Sequence, residues 1–413
     1  MEVGGLIMFI AVLIFAAHFF DWIFSHTKIP DALLLMGVGL LMGPIFGFIP
    51  PDFFGAAAEL AVMLVLVIVL FEGGLDLRFK TIKQAWQETV GLALASFVIT
   101  MALVGIVLWA VFGFELIVAL IVGSIVGGTS SVVVIPLLEQ IKIKDESKTM
   151  LTLESVFSDV LAIVITIALL EVWRSGQVHL LNISLYIVIS FIGASALGIV
   201  TAFVWARLLS IVRPMQNSVF TTPAVVLFLF GITEQLSWSG PIAALAFGIV
   251  MGNIERFNNY LEREHPFLRY ALWSTALSDK ERLFFSEAAF LLQTFFFVFV
   301  GLSMRVEGVG VLVIGFVLVV MMVFMRLVTI KLVVKKDVLV HDASVMSVMV
   351  PKGLAAAALA TLPLQMGVKQ GEAILGIVYA IILFSVLITS FLVFAVHRTK
   401  LRHRYAASLN KFS

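Results

Sequence analysis

Residues 4–397 are a succession of apolar runs, most of them about twenty residues long and so able to cross a bilayer core as helices. Clusters of charge, proline and glycine separate them. Every backbone polar group in lipid must be satisfied within the protein, so runs of this kind are helices, and an open sheet is excluded. The spans fall at 4–24, 29–49, 57–75, 84–112, 115–138, 148–173, 182–207, 219–235, 241–253, 287–304, 308–334, 342–365 and 372–397. The predicted fold is an all-α polytopic membrane protein with about 13 transmembrane helices. Composition agrees, with 61% of the 413 residues hydrophobic, 13% charged and a mean hydropathy of +1.12. Soluble domains are about half apolar and about a quarter charged.

The longest polar interlude, 253–287, is too short and broken to fold alone and reads as a solvated interfacial helix pair. Cysteine is absent, which excludes disulfides, thiolate zinc sites and cysteine nucleophiles. The N-terminus has no basic n-region or small-x-small cleavage site, so the first span is expected to be a retained helix.

Charge placement tests the span count. With the basic tail (Arg398, Lys400, Arg402, Arg404, Lys411) placed in the cytoplasm, 22 of the 27 lysines and arginines fall on that side. Only Arg174, Arg305 and Lys369 fall opposite, and Arg326 and Lys352 are left inside the membrane. The predicted topology is N-terminus outside and C-terminus cytoplasmic.

Two spans are interrupted. Span 5 carries Gly127-Gly128-Thr129-Ser130-Ser131 and then Pro136; span 12 carries Pro351-Lys352-Gly353 and then Pro363. Proline removes a backbone donor and glycine pairs loosen a helix, so both should break. The two lie seven spans apart, an odd offset that reverses direction in the bilayer. A six-plus-six inverted repeat, spans 1–6 and 8–13 joined by span 7, follows, with the interrupted helices crossing near the midplane. Matched breaks in inverted halves mark a transporter's binding site.

Span 6 carries Glu154-Ser155-Val156-Phe157-Ser158-Asp159 at membrane depth. A carboxylate there is expensive, and burial disfavours its charged form, so it must hold a proton or a cation. On a helix Ser155 and Asp159 share a face, whereas Glu154 and Asp159 lie roughly 140° apart and take different roles. Arginine keeps its charge and needs a permanent partner, so Arg326 is assigned to Glu154 as a structural ion pair. Asp159 is left to titrate. Ser155, with the hydroxyls and freed carbonyls around Thr129 and Ser130, completes an oxygen shell suited to a hard alkali cation. Lys352 offsets either the half-helix C-termini or the site carboxylate. Ser158 and Ser131 read as structural hydroxyls. Glu72 reads as a membrane-boundary residue, His18 as an apolar-face histidine and His341 as a loop residue.

These residues carry a resemblance. Glu154-Ser155-x-Phe157-x-Asp159, Gly128-Thr129-Ser130 before a valine run, Arg326, Pro351-Lys352-Gly353-Leu354-Ala355-Ala356-Ala357 and Phe71-Glu72-Gly73-Gly74-Leu75 resemble motifs of the monovalent cation:proton antiporter family. Within it, the chain is similar to the sodium/proton exchanger branch that includes archaeal and bacterial NhaP. The resemblance implies a homodimer with an interface part (1–83 and 208–305), a mobile ion-translocating core (84–181 and 306–398) and a short basic cytoplasmic tail (399–413). It implies alternating access, a cation site at Asp159, Ser155, Thr129 and Ser130, and Glu154 bound to Arg326. Two positions depart from the pattern: Ser158 stands where asparagine is usual, and Ser130 where an acid is frequent. A single titrating carboxylate implies electroneutral one-for-one exchange of Na⁺ for H⁺, with K⁺ the alternative cargo and Li⁺ a third alkali cation to test. The expected setting is a prokaryotic plasma membrane, with no cofactor and no nucleic-acid partner.

Competing classes fit less well. No H-E-x-x-H or G-x-S-x-G motif supports an intramembrane hydrolase, since Gly128-x-Ser130 lacks the closing glycine. A cation-coupled organic-solute symporter would need a roomier polar cavity than these few small polar groups offer, and a channel would need a repeated filter.

Overall fold

The computed structural model describes residues 31–49, 55–175, 180–215, 218–264, 275–302, 309–335 and 338–398, with scattered positions between 8 and 22. Most of the expected first span, Lys28, Arg305 and the tail beyond 398 lie outside the described residues. Among the described residues there is no strand.

In chain order the helices are α1 (Asp31–Leu40), α2 (Gly55–Asp76), α3 (Phe79–Ala110), α4 (Leu116–Ile125), α5 (Ser131–Glu139), α6 (Asp145–Ser175) and α7 (Leu180–Val212). They continue with α8 (Thr221–Gln235), α9 (Gly240–Glu264), α10 (Asp279–Leu302), α11 (Val309–Val333), α12 (Val340–Val348), α13 (Leu354–Gln365) and α14 (Gly371–Arg398). Six of these, α3, α6, α7, α10, α11 and α14, are long and apolar enough to cross a membrane. α1 runs on into a wider turn, Leu41–Ile45, around Pro44, where the missing amide interrupts the α-ladder.

Two sequence boundaries move. α9 runs on to Glu264 and α10 starts at Asp279, so much of the polar stretch 253–287 extends its neighbouring helices. At the end of the expected span, where α9 runs on, a polar residue anchors the helix. Asn253 is buried, donates Nδ2 to Leu77 O (2.6 Å) and Ile249 O (2.7 Å), and accepts from Phe79 N at 3.2 Å. α10 opens on a capping box: Glu281 Oε2 accepts from Ser278 N at 2.7 Å, and Ser278 Oγ accepts from Glu281 N at 3.4 Å. The second departure is His341, which sits in the first turn of α12 rather than in a loop.

The chain divides into two compact units. One comprises residues 1–59, 85–183 and 294–413; the other comprises 60–84 and 184–293. In the first, α6 packs against α4, α5, α12 and α13, and α14 packs against α11, α12 and α13. α1 and the end of α10 cross closely: a Cβ on Gly39 would fall on the backbone of Val298, Gly301 and Leu302, and one on Gly301 would fall on that of Met36 and Gly39. In the second unit α2 and α9 cross in the same manner through Gly74 and Gly248. Small residues let helix backbones approach in this way, which suits lipid, where apolar side chains gain nothing by leaving their solvent.

Candidate functional site

The site lies wholly within the first unit, where the two interrupted spans meet. α4 ends at Ile125 and α5 begins at Ser131; α12 ends at Val348 and α13 begins at Leu354. The intervening segments clasp one another. Ser130 donates its amide to Pro351 O at 2.8 Å, and Lys352 donates Nζ to Gly128 O at 2.8 Å. Lys352 also donates its amide to Ser385 Oγ on α14 at 2.9 Å. The Ser130 and Lys352 amides and the Gly128 and Pro351 carbonyls, released by the two breaks, are thus answered by the opposite break or by α14, as bare backbone at membrane depth requires.

Two glycines make this approach possible. A Cβ on Gly353 would fall on the Ser130 side chain. On Gly128 it would meet Ser158 O at 3.0 Å and Asp159 Oδ1 at 3.1 Å, so glycine lets the first break press against α6. The contact is sealed by Thr129, whose amide donates to Ser158 Oγ at 2.9 Å, while Ser158 donates that hydroxyl to Ser155 O at 3.0 Å.

The two carboxylates of α6 have contrasting surroundings. Glu154 is 1% exposed and meets Arg326, itself 5% exposed, through both carboxylate oxygens: Nη1 to Oε1, and Nη2 to Oε2 at 2.6 Å. Arg326 further donates Nη1 to Ser96 Oγ at 2.6 Å and Nε to Met346 O at 3.0 Å. This bidentate pair has its spare donors occupied, the arrangement that makes a buried charge tolerable. Asp159 is different. It is only half-buried, although residues 150–158 before it are all buried. Its Oδ2 accepts from Ser131 Oγ at 3.3 Å, and the charge of Lys352 reaches it.

Of the site residues expected from sequence, Thr129, Ser158 and Asp159 come together at the first break, and Ser130 and Lys352 join it from the clasp. Ser155 is buried and donates its hydroxyl to Thr152 O at 2.8 Å, leaving its oxygen lone pairs as its only further capacity. Ser130 Oγ is buried, with no hydrogen-bond partner among the described residues. Ser131, expected from sequence only as a structural hydroxyl, lies on Asp159, and two contributors were not singled out from sequence at all: Ser96 on Arg326 and Ser385 on the Lys352 amide. Ser96 and Ser385 are each one of several hydroxyls in apolar spans, a signal too common in membrane helices to single them out.

The profile of the transmembrane sodium/hydrogen exchanger family matches residues 10–398. The chain belongs to that family. As a sodium/hydrogen exchanger homologue it is a multi-pass membrane protein, in keeping with its six long apolar helices. Among curated relatives, it is 25% identical over 260 residues to the K(+)/H(+) antiporter NhaP2 of a Shewanella strain, covering 61% of this chain and 43% of that protein. It is 25% identical to the low-affinity Na(+)/H(+) antiporter NhaS1 of Synechocystis, over 55% of this chain and 42% of that one. It is 30% identical to Na(+)/H(+) antiporter 1 of Methanocaldococcus jannaschii over 35% of each. The chain thus spans less than half the length of these relatives. The fold of this exchanger homologue is similar to that of the sodium proton antiporter MjNhaP1 from M. jannaschii, with a TM-score of 0.72, 20% identity and 99% of both chains covered.

Proposed function

We propose that this protein is a secondary active antiporter that exchanges a monovalent alkali cation, Na⁺ foremost, for H⁺. The observation that carries the reading is the division of labour on α6: Glu154 is locked by Arg326, whereas Asp159 is half-open beside the clasped breaks. A carboxylate in that position holds a proton or a cation but not both. If only the loaded forms change the side they face, the two ions are coupled one for one and exchange is electroneutral. In this reading Thr129, Ser130 and Ser155 complete the cation's oxygen shell, and Ser158 and Lys352 hold the break in place. Potassium is the alternative cargo, favoured by likeness to a relative named as a K(+)/H(+) antiporter.

The surrounding architecture supports the wider reading. A seven-span offset maps spans 2 and 3 onto spans 9 and 10. The α1–α10 glycine crossing then maps onto the α2–α9 crossing, as a six-plus-six inverted repeat of thirteen spans requires. Asp342 on α12 accepts from Lys144 N (3.0 Å) and Ser147 Oγ (2.9 Å) at the start of α6, so both helices begin on one face, the cytoplasmic one in the proposed N-out, C-in topology. Every side chain named at the site falls within 84–181 or 306–398, the proposed moving core. Residues 1–83 and 208–305 are proposed to hold a homodimer together while that core alternates in access.

The test is proton movement in proteoliposomes after pulses of Na⁺, K⁺ or Li⁺, with the membrane potential clamped and then released. Cation-evoked proton flux that ignores the potential and is lost in Asp159→Asn is expected. Flux persisting in Asp159→Asn would assign the exchange elsewhere, and no flux with any alkali cation would overturn the antiporter reading.

A further inference from the structure

Ser131 is the first residue of α5, is 1% exposed, and turns its hydroxyl toward Asp159 Oδ2. The amide of the same residue also lies beside that carboxylate. The separation of 3.3 Å is the informative quantity. A hydroxyl bonded to a carboxylate usually closes to about 2.5–3.0 Å, as Ser147 Oγ does on Asp342 Oδ2 at 2.9 Å. A hard cation holding oxygens at about 2.4 Å, at right angles to one another, sets them about 3.4 Å apart. The Ser131–Asp159 edge is therefore long for a hydrogen bond and matched to two neighbouring ligands of a small cation. A hydroxyl can serve both states, because it has one rotatable proton and two lone pairs. Without a cation the proton points at Oδ2; with one, the hydroxyl turns and presents oxygen. The α5 N-terminus opposes a cation here, but with about half a unit of positive charge against the full negative charge of Asp159.

We propose that Ser131 Oγ is a direct ligand of the transported cation, on the edge it shares with Asp159 Oδ2, and that this edge favours a cation of sodium's size. A larger cation needs a wider gap, which the neighbours of Ser131 and Gly128 resist, since both are buried against α6. This deepens the antiporter reading and rests on it. A purely structural Ser131 would instead support both ions alike.

The experiment measures half-saturating Na⁺ and K⁺ for exchange in proteoliposomes, at one pH, for wild type, Ser131→Ala, Ser131→Cys and Ser131→Thr. Protection against thermal unfolding by each cation is measured in parallel. Losing one oxygen ligand should raise half-saturating Na⁺ about tenfold in Ser131→Ala, from the worth of one charge-assisted contact, with K⁺ changed far less. Ser131→Cys keeps the shape but presents soft sulfur and should behave like Ser131→Ala, whereas Ser131→Thr should restore Na⁺. Should Ser131→Ala fold poorly, the Cys and Thr pair carries the comparison. Equal shifts for both ions, no shift, or a wild type that prefers K⁺ would overturn the proposal while leaving the antiporter reading intact. A wild type that neither exchanges nor is stabilised by any alkali cation removes both.

Discussion

Replacing Arg326 by methionine isolates the energetic role of the Glu154–Arg326 pair. Methionine keeps most of the side-chain stem and so limits the cavity, but removes every donor. Glu154, 1% exposed, then loses both guanidinium contacts, and Ser96 Oγ and Met346 O each lose a bond to the guanidinium. Stranding one member of a buried pair costs about 3–5 kcal/mol, whereas replacing both members by neutral groups is close to neutral. The expectation is a fall in the thermal midpoint of detergent-solubilised Arg326→Met, recovered in large part by adding Glu154→Gln. The coupling between the two substitutions should be about 2 kcal/mol or more, within the range for groups in direct contact. The assay is thermal unfolding of the four variants of the cycle, read by monodispersity after heating. A single mutant as stable as wild type, or a double mutant no better than the single, would falsify the structural-pair assignment.

Two further outcomes follow from the same geometry. If cation and proton compete for Asp159, lowering the pH on the cation-loading side raises half-saturating cation without changing the maximal rate, because added protons occupy the site; a pH effect confined to the maximal rate would contradict competition. Gly353→Ala places a methyl group on the Ser130 side chain and should loosen the Ser130–Pro351 clasp, lowering the exchange rate severalfold more than Gly37→Ala, where a Cβ meets open space. Equal rates in the two variants would show that the clasp does not bear on transport.

Much of the site was legible along the chain because lipid narrows the possible explanations for charge. Arg326, Lys352, Glu154 and Asp159 stand out within apolar runs, and the permanence of arginine's charge pointed to its carboxylate partner. The breaks at 126–130 and 349–353 were legible from Gly127-Gly128 and Pro351-Lys352-Gly353, since these residues remove donors or loosen the helix. The extent of α9 and α10 was less so. Hydropathy ends where lipid ends, but a helix continues as long as its polar side chains find partners, as Asn253 does; only the S-x-x-E cap at Ser278–Glu281 marked the true start of α10.

Local sequence by itself determined that the chain crosses the membrane many times, where two of its helices must break, and which charges those breaks must accommodate. Only the tertiary structure decided which hydroxyls face which charges. Ser131 and Ser155 are equally polar on paper, yet Ser131 reaches Asp159 across helices while Ser155 turns back to Thr152 O. The physical reason is that a half-helix is free to rotate about its own axis until the clasp between Ser130 and Pro351, and the seat of Gly128 against α6, set its phase. That phase depends on contacts between separate helices, one of them between residues more than two hundred positions apart, and no local pattern of polar and apolar residues encodes it.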